Sequence, residues 1–376
     1  MQISFHESIQ EIEATEWNAL VQNRQPFLQH SFISALENHG CIGGDLDWYG
    51  HHISVRENDQ LIGAMPLFEK HNTHGEFVFD HSWADAWHRA GLRYYPKLVS
   101  ATPYTPASGQ RLLCQEGRED EVYPILLEAV IQFAQASEAS SFHCLFPAKD
   151  QQEFMSDAGL FTRSDCQYHW HNQEYESFDH FLSTLTSKKR KNIKQERRKV
   201  KDAEITLRVL DGTTASVEDW HIFTDFYRRI YERKWGMPVF NQPFFSEVAT
   251  ALGDQVILVM ADLNDKPVAG SLMYKSDDTL FGRHWGCAEK HDSLHFEACY
   301  YQGIEYCIEH NLKLFEPGAQ GEHKIARGFL PTMTRSNHWI AAEDFRPAIE
   351  RFCTHEKSNI EAYMTQLQDK LPYKES

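Results

Sequence analysis

Residues 280–329 read LFGRHWGCAEKHDSLHFEACYYQGIEYCIEHNLKLFEPGAQGEHKIARGF, and this stretch decides the fold. The apolar, aromatic run 280–287 predicts a buried strand. Apolar residues recur at helical spacing over 296–310, which predicts a helix, and 312–315 predicts the next short strand. The segment that follows, 316–324, combines Glu, Gln, His and Lys with two glycines. A buried strand that ends in such a loop is typical of active sites in α/β folds.

The composition predicts a globular protein with two domains. The chain has 376 residues, of which 41% are hydrophobic and 13% aromatic. No apolar run reaches the roughly 20 residues of a membrane-spanning helix, and the first residues lack the features of a signal peptide. The eight cysteines form no CxxC pair, so we interpret them as reduced thiols. We therefore expect a cytoplasmic protein without membrane insertion, and its oligomeric state stays open.

The charge of the chain is unevenly distributed. A net charge of −17 argues against a protein that coats nucleic acid. Residues 188–201, KKRKNIKQERRKVK, nevertheless hold nine of the 37 Lys and Arg residues and one acid, Glu196. We predict a helix over 187–202 with Ser187 as its N-cap, and a docking site for a polyanion on it. The alternative is a solvated helix without a ligand.

Two distant segments share a strand–turn–strand pattern. They are residues 53–68 and 258–274, and each precedes an aromatic strand, at 77–81 and at 280–284. A helix and another strand follow in both places, which suggests a duplicated domain. Chance similarity of two β-meanders is the alternative.

This organisation predicts an α/β fold with two tandem domains, each a mixed sheet flanked by helices. We place the N-terminal domain at residues 1–170 and the C-terminal domain, which includes the basic helix, at 171–376. The remaining predicted helices cover residues 7–20, 31–39, 119–139, 216–235, 243–252 and 346–369.

Several motifs carry a family resemblance. In the first half they are SWADAW (82–87), AGLRYYPK (90–97) and PYTPASG (103–109). In the second half they are the helix 296–306, the segment LFEPGAQ (314–320) and KIARGF (324–329). Together they resemble the GNAT acyltransferase fold in its double-domain FemAB form, and in particular the FemAB-like bacterial proteins grouped as predicted N-acyltransferases.

The resemblance implies transfer of an acyl or aminoacyl group to the amine of a small molecule or peptide. The implied donors are acyl-CoA and aminoacyl-tRNA, used as co-substrates and not as tightly bound cofactors. Acetyl-CoA enzymes usually carry a Q/R-x-x-G-x-G/A loop before the helix that corresponds to 296–310. Residues 288–295, AEKHDSLH, contain no glycine there, so the donor stays open between CoA and tRNA. A non-catalytic GNAT pair that binds a nucleotide-bearing or peptidoglycan-like ligand is the alternative function.

Acyl transfer to an amine needs a base, donors for the oxyanion and alignment of both substrates. Glu316, at the end of a predicted buried strand, is the first candidate base, because partial burial would raise its pKa. Glu322 and His323 are alternatives, while Lys324 and Arg327 would hold an anionic donor or the oxyanion. For each of them the alternative is a surface ion pair or a satisfied core polar group.

The other candidates fall into three groups. The candidate substrate-binding residues of the second half are His284, Trp285, Tyr301, Gln320 and Arg327. The candidate acceptor residues of the first half are Asp80, His81, Trp83, Asp85, Tyr104, Thr105 and Ser108. The candidate phosphate-binding residues of the donor site are Lys188, Lys189, Arg190, Lys194, Arg197 and Arg198.

Two other kinds of site remain as alternatives in the second half. A zinc site could draw on His284, Cys287, His291 and His295. A cysteine nucleophile could be supplied by Cys287, Cys299 or Cys307, although the last two fit the buried face of the predicted helix. We predict no metal site.

Overall fold

A computed structural model describes residues 1–233, 236–319 and 321–374. Its strands are β1 (Gln2–His6), β2 (Trp48–Gly50), β3 (His52–Glu57), β4 (Gln60–Met65), β5 (Phe68–Lys70), β6 (Lys97–Ser100), β7 (Leu113–Cys114), β8 (Ser141–Leu145), β9 (Phe161–His171), β10 (Ile205–Asp211), β11 (Val256–Leu263), β12 (Lys266–Lys275), β13 (Thr279–Cys287), β14 (Leu314–Glu316) and β15 (Leu330–Ile340).

The α-helices alternate with these strands. They are α1 (Ala14–Ala19), α2 (His30–Asn38), α3 (His81–Arg89), α4 (Glu119–Ala136), α5 (Lys149–Asp157), α6 (Phe178–Thr184), α7 (Ser187–Asp202), α8 (Val217–Arg233), α9 (Gln242–Leu252), α10 (Leu294–Phe296), α11 (Gln302–Glu309) and α12 (Arg346–Gln368). A π-helical turn, Glu297–Tyr301, joins α10 to α11. None of the helices in the described ranges combines the length and apolarity that a bilayer-spanning segment requires.

Unit 1 consists of Met1–Cys166 and Met333–Tyr363. One sheet has the strand order β1-β3-β4-β7, and a second set is ordered β15-β8-β6-β5-β2. Within that second set, β6 and β8 run parallel. An apolar core that includes Val122, Leu126 and Val130 of α4 packs against Leu98 and Phe142 from these two strands. Burial of this helix face stabilises the unit through the hydrophobic effect.

Unit 2 consists of Gln167–Thr332 and the residues from Met364 onward. Its strands are ordered β10-β11-β12-β13-β14-β9, where β9 contributes its last residues. Only the pairing of β13 with β14 is parallel among the strand pairs described in this unit. An antiparallel set followed by a parallel pair therefore recurs in both units, as the predicted duplication requires.

The two units differ from the predicted division at residue 170. Residues 333–363 belong to unit 1, because β15 pairs with β8 from Ser336↔Leu145 to Ile340↔Ser141. Strand patterning shows that a segment is a strand but not which strand it pairs with, so the sequence could not reveal this return of the chain.

The predicted strand at 77–81 is wrong. Phe77 has a φ of 61°, and His81 begins α3, which buries Trp83 and Trp87. The two tryptophans are four residues apart and also fit one helix face. The strand beside β4 is β7, in the register Gly63↔Cys114.

Most of the predicted helices are confirmed to within a few residues, and α7 has the predicted bounds. Residues 7–20 instead form a 3-10 turn, Ile9–Glu11, and the short α1. The predicted N-cap is also wrong, because Thr186 occupies that position and Ser187 is the first helical residue.

Candidate active site

The parallel strands β13 and β14 define the candidate site in unit 2. They pair from Thr279↔Leu314 to Phe281↔Glu316. Beyond this point Gly282 lies so close to the following loop that an added Cβ would come within 3.2 Å of the Cα of Pro317. In open α/β sheets, ligands bind beyond the carboxyl ends of parallel strands. The residues that follow Phe281 and Glu316 therefore form the expected reaction site.

Lys324 is the most unusual ionisable group near this edge. Its side chain is buried, with 2% of the residue exposed, and Nζ donates a hydrogen bond to the Gly318 carbonyl oxygen at 2.6 Å. Burial lowers the pKa of Lys324 to about 7, while the Cys299 thiol opposes this shift and the charge of Arg283 adds to it. A lysine with this pKa exchanges protons near neutral pH, as a general base must.

Arg283 and His169 enter the site from the strands on either side of β14. Burial lowers the pKa of Arg283 to about 10, although tyrosines and Glu316 favour its charged form. Burial, together with the charges of His171 and Lys324, lowers the pKa of His169 to about 3, so this imidazole is neutral. Sequence reasoning missed both residues. A charged residue inside the apolar run 280–287 was an available signal for Arg283.

Glu316, the first candidate base, is the last residue of β14 and is 5% exposed. Its carboxylate acts electrostatically on Arg283. The structure thus brings Glu316 and Lys324 to the same cationic neighbour, Arg283, through these electrostatic interactions.

The 3-10 helix Glu322–Arg327 holds the remaining candidates of the loop. Arg327 donates from Nη1 to the His323 carbonyl oxygen at 2.7 Å. The His323 ring shares a hydrogen bond of 2.9 Å with the Tyr300 hydroxyl, and burial and nearby cations lower its pKa. Glu322 is exposed and pairs with Lys370 at 3.0 Å. His323 and Arg327 therefore accompany Lys324, whereas Glu322 takes part in a surface ion pair.

The candidate substrate-binding residues of this half lie in different surroundings. His284 packs against the rings of Tyr227, Phe240 and Phe245. Trp285 contacts His295, with ring centroids 5.3 Å apart. Tyr301 is fully buried, and its hydroxyl donates to the carboxylate of Glu196. Gln320 lies outside the described residues.

The basic helix α7 is anchored by some of its cations. Arg197 makes hydrogen bonds of 2.7–3.1 Å to the carboxylates of Glu297 and Glu305. Lys194 pairs with Asp179, and Lys199 pairs with Asp292. Arg197 is thus committed to intramolecular contacts, which reduces its availability for a donor phosphate.

Other cations of α7 have no hydrogen bond or ion pair to any described residue; they are Lys188, Lys189, Arg190, Lys191, Arg198 and Lys201. A cleft of about 730 Å³ runs along one side of the helix. Its walls include Lys194, Arg197, Arg198 and Lys201, with apolar residues such as Leu182 and Leu207. Three of the six predicted phosphate-binding residues therefore line one cleft, and the other three lie in the first turn of α7.

The candidate acceptor residues of unit 1 do not form one open site. Asp80 is 1% exposed and accepts hydrogen bonds from Lys97 at 2.5 Å and from the Tyr94 hydroxyl at 2.6 Å. Lys97 also binds Glu76 at 2.8 Å. Although burial opposes the shift, Lys97 holds the pKa of Asp80 below its usual value, whereas burial raises the pKa of Glu76 to about 7. Asp80 belongs to a buried ion network.

The other members of that group are dispersed. Trp83 is buried against His338 and Phe352, whereas His81 and Asp85 are exposed on α3. Tyr104 is half-buried beside Trp48, Thr105 is buried, and Ser108 is half-buried.

The two alternative chemistries receive little support. Within the described ranges, no three His, Cys, Asp or Glu side chains are grouped as metal ligands. Burial raises the pKa of Cys299 to about 12 and that of Cys307 well above its ordinary value. Since the thiolate is the nucleophile, these two thiols are poor ones.

Comparison with known proteins identifies related sequences and folds. The profile of the FemAB-like family, described as peptidoglycan biosynthesis/recognition, matches residues 8–375. A comparison with curated proteins finds no match.

Three solved structures illustrate the similarity of fold. FemX is 10% identical, with a TM-score of 0.54 over 93% of this chain and 100% of its own. The C-terminal DUF2156 domain of a proposed lysylphosphatidylglycerol synthetase from Agrobacterium fabrum is 9% identical, with a TM-score of 0.55 over 93% and 97%. A conserved protein of unknown function from Bacteroides thetaiotaomicron is 10% identical, with a TM-score of 0.53 over 90% and 99%. The predicted fold of two GNAT-like halves is confirmed.

Proposed function

The chain belongs to the FemAB-like family, and we propose that it is an N-acyltransferase that moves an aminoacyl or acyl group from an activated donor to an amine. Family and fold support a transferase. The observation that carries the reaction type is the buried Lys324, whose pKa of about 7 suits proton transfer beside the parallel strands.

The proposed step is direct attack by the acceptor amine on the donor's acyl carbon. A C–N bond forms, and Lys324 in its neutral form takes a proton from the nitrogen. The bond from the acyl carbon to the leaving oxygen or sulfur then breaks, and the leaving group receives a proton. Arg283 supplies positive charge for the oxyanion, which is most effective in a site that excludes water. Glu316, close enough to act on Arg283, orients that charge.

We further propose aminoacyl-tRNA as the donor. The free cations of α7 and the cleft beside it suit a phosphate backbone. Residues 288–295 offer no glycine for a pyrophosphate cradle, and α10 begins after Ser293 in a left-handed conformation. The family description supports the amine of a peptidoglycan-type peptide as the acceptor. Such a reaction belongs in the cytoplasm, where charged tRNA is made.

Incubation of the purified protein with a mixture of aminoacyl-tRNAs or with acetyl-CoA, plus a stem-peptide amine, tests this function. Mass spectrometry of the peptide should detect an added aminoacyl group in the tRNA reaction. Tight binding of tRNA or peptide without turnover from any donor would favour the non-catalytic binding function instead.

Reversing two free cations of α7 should weaken tRNA binding. In the double variant Arg198→Glu/Lys201→Glu, affinity is expected to fall, because two phosphate contacts become repulsive. The slope of log K against log salt should decrease by about 1.5 to 2, since each contact contributes about 0.7 to 0.9. Filter binding at several salt concentrations measures both quantities.

Lys266→Glu/Lys290→Glu provides the matched control, because both lysines are exposed in unit 2 and the charge change is the same. Equal loss of affinity in both double variants would show a general charge effect and exclude α7 as a specific docking site.

A further inference from the structure

Glu196 is the one acid among the cations of residues 188–201, and it points into the protein instead of toward a free basic neighbour. One carboxylate oxygen accepts a hydrogen bond from Nη2 of Arg327 at 2.7 Å. The other accepts from the hydroxyl of Tyr301. Its side chain is 22% exposed, so these contacts are partly shielded from water.

Each partner of Glu196 fixes a different segment. Arg327 uses its second nitrogen to bind the carbonyl of His323, the residue directly before Lys324. Its guanidinium also lies 3.4 Å from the centroid of the Phe296 ring. Tyr301 is the last residue of the π-helical turn, and such turns occur frequently at functional sites. One carboxylate therefore connects the 3-10 helix Glu322–Arg327 to that turn.

The Lys324 amine is buried between groups from these segments and from the sheet. Cys299 belongs to the π-helical turn, and Gly318 O belongs to the loop after β14. Arg283 and His169 act on Lys324 from β13 and β9. Any loosening of the 3-10 helix or of the turn would let water reach this amine.

The next residue of α7 grips the same turn. Arg197 binds Glu297, the first residue of the π-helical turn, and Glu305 in α11. Removal of the Glu196 carboxylate should therefore release the Arg327 and Tyr301 contacts while α7 stays docked. This arrangement separates a local effect on Lys324 from loss of the helix.

We propose that Glu196 is a positioning residue for Lys324, which holds through Arg327 and Tyr301 the two segments that bury the lysine amine. The inference rests on the proposed role of Lys324 as the base. The helix that presents cations to the donor thereby also sets the geometry of the group that moves the proton.

Glu196→Gln tests this role without turnover. Reductive methylation of Lys324, followed over pH by peptide mass spectrometry, reports the pKa of the amine. Because water gains access when the segments loosen, that pKa should rise from about 7 toward the ordinary 10.5. In transfer assays kcat should fall about 10- to 100-fold, as a misplaced catalytic group predicts, with the donor KM unchanged. Tyr301→Phe, which removes one of the two contacts, should shift the pKa in the same direction by less.

Asp292→Asn is the matched control, because it breaks the exposed Lys199 ion pair of the same helix without touching the Lys324 loop. It should leave the titration of Lys324 as in the wild type. An unchanged titration in Glu196→Gln, or an equal shift in Asp292→Asn, would overturn the positioning role. The proposed function fails by a different result, namely full transfer by a Lys324 variant.

Discussion

Replacement of Lys324 by methionine is expected to abolish transfer, with a fall in kcat/KM of about 100- to 10,000-fold, the usual contribution of general acid–base catalysis. Binding of tRNA should persist, because the free cations lie on α7. In the wild type, kcat/KM should rise with pH through about 7 and then level off, since the base must be neutral. Steady-state rates between pH 5.5 and 9 measure this profile.

The same replacement should increase stability. The folded protein holds Lys324 at a pKa of about 7, below the ordinary 10.5, so the unfolded chain binds more protons between these values. Stability of the wild type therefore rises with pH across this window, and at pH 7 the buried amine costs about 2–4 kcal/mol. Methionine removes that cost, and urea unfolding at pH 7 should show the gain.

Lys313→Met is the control, because the same chemical change is made at an exposed position. It should alter neither transfer nor stability by more than about 0.5 kcal/mol. A Lys324→Met protein that retains transfer within tenfold of the wild type would refute the assignment of Lys324 as the base.

In unit 1, replacement of Lys97 by methionine is expected to reduce the free energy of unfolding by about 3–5 kcal/mol. Lys97 is fully buried and binds both Glu76 and Asp80. Its loss leaves two buried carboxylates without their cation, and burial of an unpaired charge is costly. Urea unfolding of wild type and variant at pH 8 measures the difference.

The pH dependence of that loss has a definite sign. Without Lys97, the carboxyl groups of Glu76 and Asp80 should take up protons in the folded state at higher pH than in the unfolded chain. The variant therefore loses stability as pH rises, so the deficit relative to the wild type should be largest at alkaline pH.

Lys149→Met, at an exposed lysine of α5, serves as the comparison and should change stability by at most about 0.5 kcal/mol. A cost below about 1 kcal/mol for Lys97→Met at pH 8 would mean that the network does not stabilise unit 1. A large cost supports a structural role for Asp80, in contrast to the acceptor role that its sequence position suggested.

Local patterns explain why some elements of the site could be predicted. The helix α7 follows from its caps and charges, and the strand–loop order around Glu316 and Lys324 follows from apolar runs and glycines. Arg283 was visible as a charge within an apolar strand, but nothing local indicated that it would lie near Lys324. Asp80 was expected at a strand end, whereas it precedes α3 and binds Lys97, 17 residues away.

The sequence by itself determined the class of fold, the duplication, the basic helix and the loop that carries Lys324, because periodicity and turn residues act over a few neighbours. Only the tertiary structure decided that residues 336–340 pair with β8 and that Glu196 binds Arg327, 131 residues later. It also decided that the Lys324 amine is buried, which lowers its pKa. These properties arise from contacts between distant segments, and burial of a charge has no signature in the order of the residues.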